Sequence, residues 1–379
     1  MNSQILPGAT LGMLGGGQLG RMFTVAAQTM GYKVVVLDPD TNSPAGIISD
    51  HHLCAAYDDE KALKYMADNC AAVTTEFENI PATTLAFLEQ FTTVRPSSTA
   101  LAQTQNRNVE KQFIASLGIP TAPFLPIRSR EDIAQAEEKI AFPAILKVAN
   151  FGYDGKGQVP CDSLDDVYAA FASLNEKECV LEQRIKLERE VSVVLARSEN
   201  GDITPFPVAE NVHVNGILHS TSVPASVTAE QAEEAIAKAS QISQGLGYIG
   251  TMAVEFFVST DGDIIANEIA PRPHNSGHYT LDACHTSQFE QQVRMLCGLP
   301  SGDCNLVSPV VMINILGDVW GSTQPNWDTL LEAPNVKLHL YGKQEARVGR
   351  KMGHFNVLAK DTDEAMSQAN HLFEALQGE

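Results

Sequence analysis

Apolar and polar positions along the first hundred residues alternate between two periods. Thr10–Leu14, Lys33–Asp38 and Ala71–Thr75 are short, nearly continuous apolar runs, and Leu19–Met30 carries its apolar residues at helical spacing. Strand and helix signals in this alternation predict a parallel, doubly wound sheet. Arg95-Pro96-Ser97-Ser98 reads as a boundary, followed by a polar helix over Thr99–Leu117. From Ile119 the texture changes. A proline-rich segment and a helix lead to a strand at Ala144–Ala149, a glycine loop, and strands at Cys179–Gln183 and Val191–Arg197. The last third holds apolar Val307–Ile315, a basic stretch and an amphipathic helix from Asp363. The pattern predicts an α/β protein of three domains, at 1–100, 101–300 (with a lid at about 122–185) and 301–379.

Charge narrows the partners. The chain has 26 Lys and Arg against 46 Asp and Glu, a formal charge of −20. So acidic a surface argues against nucleic acid or an anionic membrane, whereas a few focused cations still suffice for an anionic metabolite. Seven cysteines are scattered without a Cys-x-x-Cys pair, which fits reduced thiols in a cytosol and no zinc site. The start MNSQILPGAT lacks the features of a secretory signal, and no apolar run reaches the roughly 18 residues of a membrane span. A soluble, cytoplasmic protein is expected.

Three glycine-bearing or acidic segments carry candidate chemistry. Gly15-Gly16-Gly17-Gln18-Leu19-Gly20 fits G-x-G-x-x-G between a strand and a helix, and Asp38 ends the next strand, where a dinucleotide fold places its ribose acid. NAD, some other anion at the helix N-terminus, and a turn needed only for packing all remain open on these residues. Phe151-Gly152-Tyr153-Asp154-Gly155-Lys156-Gly157-Gln158 follows a strand. Its glycines allow close backbone approach to phosphates, and Lys147 and Lys156 bracket it with charge. It lacks G-K-[ST] and leads into a strand, so a mobile flap is predicted and not a Walker A loop. Glu182-Gln183-Arg184-Ile185 and Glu190, at a strand end, suit an adenine edge and a ribose, although charged residues at a strand end are also commonplace.

The sharpest signal is a hairpin. Ala253–Phe257 and Ile264–Glu268 flank Asp261-Gly262, a preferred pair for a two-residue turn. Closing that turn pairs Thr260 with Asp263 and sets Glu255 opposite Glu268. Facing carboxylates in an apolar hairpin repel, and a divalent cation resolves the conflict, with Asn267 beside it; the alternative is an exposed edge hairpin with two solvated glutamates. Pro271-Arg272-Pro273-His274-Asn275-Ser276-Gly277-His278 then delivers a dense polar set next to the proposed metal. Lys343, Arg350 and Lys351 form a basic cluster suited to a phosphate or carboxylate, or a solvated loop.

Together these segments resemble the ATP-grasp superfamily. Within it, GGGQLGRM (Gly15–Met22), TTEFENIP (Thr74–Pro81), NFGYDGKGQ (Asn150–Gln158), EQRI (Glu182–Ile185), NEIAPRPHNSGH (Asn267–His278), and LYGK with RVGRKMGH (Leu340–His354) resemble the N5-carboxyaminoimidazole ribonucleotide synthetases. The resemblance implies an ATP-grasp fold: a Rossmann-like N-terminal domain, a central ATP-grasp domain with a glycine-flap lid, and a small C-terminal domain completing the substrate site. It implies ATP held by Arg107, Lys147, the flap from Gly152 through Tyr153, Asp154, Gly155, Lys156 and Gly157 to Gln158, then Glu182, Gln183, Arg184, Ile185, Glu190, His213, Asn267 and Glu268. Mg²⁺ falls to Glu255 and Glu268. Aminoimidazole ribonucleotide falls to Gln18, Leu19, Glu76, Asn275, Lys343, Arg350 and Lys351, and no NAD to the glycine turn.

The implied chemistry is phosphorylation of bicarbonate by ATP to carboxyphosphate, then carboxylation of the substrate amine in purine biosynthesis. Arg272 and His274 hold the acid, with bicarbonate bound by the His274–His278 run, and Asp154 takes the amine proton. Lys351 belongs to the catalytic set. A homodimer is expected, as is a separate mutase acting on the product. Two other readings remain: another ATP-grasp ligase, such as a formate-dependent glycinamide ribonucleotide transformylase, and a nucleotide sensor without turnover.

Overall fold

A computed structural model of the chain describes residues 4–150, 157–321 and 324–377. Its first hundred residues form a five-stranded parallel sheet in the order His51–Leu53, Lys33–Leu37, Thr10–Leu14, Ala72–Thr75, Thr93–Val94. Apolar clusters cover both faces, one around Phe23, Met13 and Val34, the other around Leu14, Leu63 and Leu85. Burial on two faces is why these strands are continuously apolar and not alternating. The first cluster is completed from far along the chain: Phe289, Val293 and Leu296 of helix Gln288–Leu296 pack on it, as does Tyr341.

The polar segment after the boundary is two helices, Ser98–Thr104 and Arg107–Ser116, where one was expected. Asn106 causes the break. Its side chain accepts from the N–H groups of Asn108 and Val109 at 2.9 and 3.3 Å and starts a new helix. The second helix turns Arg107, Glu110 and Lys111 inward on one face at i, i+3, i+4 spacing, all nearly fully buried.

Two antiparallel sheets follow. The smaller runs Phe124–Ile127, Cys179–Gln183, Ala144–Val148, Gln158–Cys161. The larger has nine strands, with Ile264–Ala270 at its edge, then Gly250–Ser259, Leu187–Arg197, Ala209–Val214, Ile217–Val223, Val310–Leu316, Lys351–Leu358 and Val336–Leu340, while Ile203–Pro205 pairs beside Leu187–Arg197. Ile217–Val223 is hydrogen-bonded to Val310–Leu316, so this sheet is continuous from the central segment into the last third. No described helix is long and apolar enough to cross a membrane.

The hairpin differs from its expected turn. Ser259 N–H donates to the Asp263 carbonyl at 3.0 Å, leaving three residues in the turn with Gly262 at φ +91°. Near the turn the register is therefore offset by one, with Phe257 opposite Ile265 and Phe256 opposite Ala266. Asn267 then bulges out as an extra residue and Glu255 falls opposite Glu268. The expected pair forms, but through a bulge and not through a two-residue turn.

Candidate active site

All three sheets contribute to one cavity of about 950 Å³. Its walls include Gln18, Leu19, Glu76, Arg107, Lys147, Gln158, Glu182, Gln183, Arg184, Ile185, Glu190, His213, Glu255, Asn267, Glu268, Arg272, His274, Asn275, Lys343, Arg350 and Lys351. Apart from Gly157 and the Ser276–His278 end of the polar run, the described residues expected at the site converge on a single space. Gly157 is a turn residue immediately before the strand Gln158–Cys161. Its φ is +73°, and a Cβ there would lie 2.6 Å from Val148. The candidates Gly152, Tyr153, Asp154, Gly155 and Lys156 lie outside the described residues.

The glycine turn already holds an acidic group, and that group is the protein's own. Gly20 N–H donates to the Glu76 carboxylate at 2.6 Å, Gly17 N–H donates to the same group, and Gly16 N–H donates to Asp38 at 2.7 Å. Asp38 also accepts from the Tyr57 hydroxyl and the Asp40 N–H, both at 2.8 Å. A Cβ on Gly17 would fall 2.5 Å from a Glu76 oxygen. The Glu76 carboxyl thus takes the N–H groups to which a dinucleotide pyrophosphate would bind, which counts against the NAD reading. Desolvation raises the Glu76 pKa, and the two N–H donors oppose it.

On the opposite wall, the buried Lys147 and Lys111 ammonium groups reach the same Glu182 oxygen at 3.0 and 3.1 Å. Burial alone would raise the Glu182 carboxyl, but Lys147, Lys111 and Arg107 outweigh it and hold it at about 2. Burial lowers the Lys147 pKa, and Glu182 opposes that. Lys111 also donates to the backbone carbonyl of the bulged Asn267 at 3.3 Å.

The hairpin carboxylates sit between these walls. Arg107 donates to Glu268 at 2.7 Å, and His274 Nε2 lies 3.4 Å from Glu255. Desolvation pushes the Glu255 carboxyl up to about 7, with His213 opposing and Glu268 and Glu190 adding to the rise. His213 and Glu190 are themselves paired at 2.7 Å. Hard oxygen donors facing one another, one of them penalised for its charge, are a donor set that fits a divalent cation such as Mg²⁺. Among the described residues no group of three or more His, Cys, Asp or Glu could hold a metal ion.

Arg272 forms a two-pronged ion pair with Glu78, its Nη2 donating at 2.9 Å. Burial would raise the Glu78 carboxyl, yet Arg272 outweighs it and the net direction is down. His274 is shifted well below the usual histidine value by desolvation and by Arg272 and Lys351. Of the expected His274–His278 run, only His274 and Asn275 reach the cavity. Ser276 and His278 are fully buried, and the Asn275 amide forms a reciprocal pair with Asn314 at 2.8 and 3.0 Å. In the basic cluster, Lys343 donates to the Lys351 carbonyl at 2.7 Å and Arg350 to the Glu345 carbonyl at 2.9 Å, which braces the loop.

Glu78, Glu110, Lys111 and Arg347 belong to this constellation and were not among the candidates. Glu78 lies two residues from Glu76, and the helix spacing of Arg107, Glu110 and Lys111 was a usable signal. Arg347 sits within the basic stretch itself.

Residues 8–105 match the ribonucleotide synthetase preATP-grasp domain, 112–289 the ATP-grasp domain, and 310–368 the phosphoribosylaminoimidazole carboxylase C-terminal domain. The chain is 43% identical over 365 residues to the N5-carboxyaminoimidazole ribonucleotide synthase of Bacillus subtilis (strain 168), covering 96% of this chain and 95% of that one. It is similar to a crystal structure of an N5-carboxyaminoimidazole ribonucleotide synthetase in complex with ADP, with 45% identity, a TM-score of 0.93 and full coverage of both chains. An N5-carboxyaminoimidazole synthase from Aspergillus clavatus, in complex with ADP and 5-aminoimidazole ribonucleotide, is 30% identical with a TM-score of 0.90, over 97% of this chain and 98% of that one. With such identity over nearly its whole length, the chain belongs to the N5-carboxyaminoimidazole ribonucleotide synthase family of ATP-grasp proteins.

Proposed function

We propose that this chain is a ligase that uses ATP and bicarbonate to carboxylate 5-aminoimidazole ribonucleotide to N5-carboxyaminoimidazole ribonucleotide in purine biosynthesis. One observation carries the reading: a single cavity joins the Lys147–Glu182 and Glu255–Glu268 wall to the basic cluster, with Arg272 and His274 between them. The relative bound to ADP and 5-aminoimidazole ribonucleotide supports the same pairing of ligands.

In this reading ATP lies against Arg107, Lys147, Gln158, Glu182–Ile185, Glu190, His213 and Asn267. Mg²⁺ held by Glu255 and Glu268 would neutralise charge on the transferring phosphoryl group. A bicarbonate oxygen, oriented by Arg272 and His274, attacks the γ-phosphorus, and ADP leaves with the β–γ bridging oxygen. Lys147, buried and cationic, offsets the negative charge that this transfer concentrates in a low-dielectric site. The exocyclic amine of the substrate then attacks the carboxyl carbon of carboxyphosphate, or CO₂ released from it. Phosphate departs, and the amine proton passes to a base, for which Asp154 is the candidate. Lys343, Arg350 and Lys351 grip the 5′-phosphate, while Gln18, Leu19 and Glu76 line the other end of the substrate. The reading further includes three domains divided near residues 100 and 300, a cytoplasmic homodimer, and a separate mutase that consumes the product.

A phosphate-release assay in CO₂-depleted buffer tests it. Release should need bicarbonate and rise strongly with 5-aminoimidazole ribonucleotide. Stimulation by formate with glycinamide ribonucleotide would reassign the substrates, and no stimulation by either pair would leave a sensor.

A further inference from the structure

A line of buried hydrogen bonds ends on His274. The Thr221 hydroxyl donates to Asn211 Oδ1 at 2.9 Å, which fixes the amide orientation, and Asn211 Nδ2 donates to Ser192 Oγ at 2.9 Å. Ser192 donates to Ser276 Oγ at 2.7 Å, and Ser276 Oγ lies 2.9 Å from His274 Nδ1. Thr221, Ser192 and Ser276 are fully buried and Asn211 is 5% exposed, so water does not compete along the line. A hydroxyl carries one proton. Ser276 accepts from Ser192, which leaves its own proton available to donate to Nδ1. The Ser276 backbone N–H, which can only donate, also meets Nδ1, at 3.3 Å. The N–H requires a lone pair on Nδ1 and the hydroxyl can donate to the same lone pair, which leaves the ring proton on Nε2. The backbone that carries the ring is held as well: Gln288 accepts from the His274 N–H at 2.8 Å and donates to its carbonyl at 2.7 Å.

We propose that Ser276, backed by Ser192 and Asn211, is a positioning residue that locks His274 in the Nε2–H tautomer, making His274 a hydrogen-bond donor to an anionic oxygen in the cavity and not a proton acceptor. The Nε2–H faces the cavity beside Glu255, where it can meet an oxygen of the acid being activated. The identity of that oxygen rests on the carboxylation reading; the tautomer does not.

The test is ¹⁵N NMR of the full-length protein labelled at its 10 histidines, with His274→Asn identifying the signal by its loss. The expected spectrum has a pyridine-type nitrogen at Nδ1 and a protonated, pyrrole-type nitrogen at Nε2. Protonation at Nδ1 in the unsubstituted protein overturns the proposal without any variant having to fold. In Ser276→Ala a mixture of tautomers should appear, with kcat reduced roughly tenfold or more while the KM for ATP holds, as loss of an outer-shell orienting partner typically costs. A single unchanged tautomer together with unchanged kcat in Ser276→Ala overturns the role of the serine line. The expected spectrum without any bicarbonate-dependent turnover would instead reject the carboxylation reading and leave the tautomer lock standing.

Discussion

Arg107 donates to Glu268 at 2.7 Å, whereas Glu255, directly across the hairpin, has as its nearest cationic candidate a histidine at 3.4 Å that burial keeps neutral. The two facing carboxylates are therefore unequal, and their substitutions should differ. Glu255→Gln and Glu268→Gln should each lower turnover by roughly 10²-fold or more, as loss of an electrostatic transition-state contact does. Only Glu268→Gln also removes the charge partner of a buried arginine, and so it should lower stability as well. Turnover and urea midpoints for both variants check this. Near-normal phosphate release by Glu268→Gln at saturating Mg²⁺ would remove the metal assignment.

Glu110 is buried, and its carboxyl is pushed up to about 8 by desolvation and by Glu268, against Arg107 and Lys111. The folded protein therefore holds a proton there, between the ordinary carboxyl value and about 8, that the unfolded chain has lost. Stability from this group is present at the acid end of the window and declines as pH rises through it. Glu110→Gln keeps an acceptor for the Ile269 N–H, bonded at 2.6 Å in the parent, and should flatten that decline. Urea midpoints at several pH values between 5 and 8 read it directly. An identical pH slope in parent and variant would count against the assignment.

Glu78 orients Arg272 through both prongs of its guanidinium. Glu78→Gln should lower kcat roughly tenfold or more, because a bidentate carboxylate contact is replaced by a single weaker one, with the KM for ATP little changed. A large rise in the ATP KM with kcat intact would place Arg272 on the nucleotide instead of the acid.

Lys343, Arg350 and Lys351 are proposed to hold the ribonucleotide 5′-phosphate. The corresponding dephosphorylated riboside should bind far more weakly, at ~1.5–3 kcal/mol for each charge-assisted hydrogen bond lost. Lys351→Ala should weaken ribonucleotide binding and leave riboside binding nearly unaltered. Calorimetric titration of both ligands separates the two cases, and equal losses for both would move the phosphate elsewhere.

Much of the fold was legible because its strands announce themselves by period. Thr10–Leu14 and Cys179–Gln183 have the bounds that their apolar runs predict, and the expected helix from Leu19 begins one residue earlier. The cavity walls were legible where a motif packs several chemical groups into a few residues, as in Asn267–Asn275. Partnerships across the chain were not. Glu76 meets a glycine 56 residues away and Glu78 an arginine 194 residues away, and no local pattern encodes either distance. The same blindness made Ser276 and His278 look like ligands, since their polarity was visible while their burial was not. The break before the helix carrying Arg107 depends on Asn106 acting as a cap, which polarity alone does not distinguish from a residue inside a helix.

A helix N-terminus that supplies its own carboxylate has been built so that no outside anion is needed. Removing Glu76 would therefore do more than delete one wall of the cavity: it would set free the N–H groups of Gly17 and Gly20, at a turn whose shape already suits phosphate. A Glu76→Ala variant is expected to gain, at this turn, a site for inorganic phosphate or sulfate in addition to the basic cluster. In this fold, then, the Glu76 side chain seals most of a latent receptor, with Asp38 left on the Gly16 N–H, and a search for new nucleotide specificities by directed evolution has an obvious first position to vary.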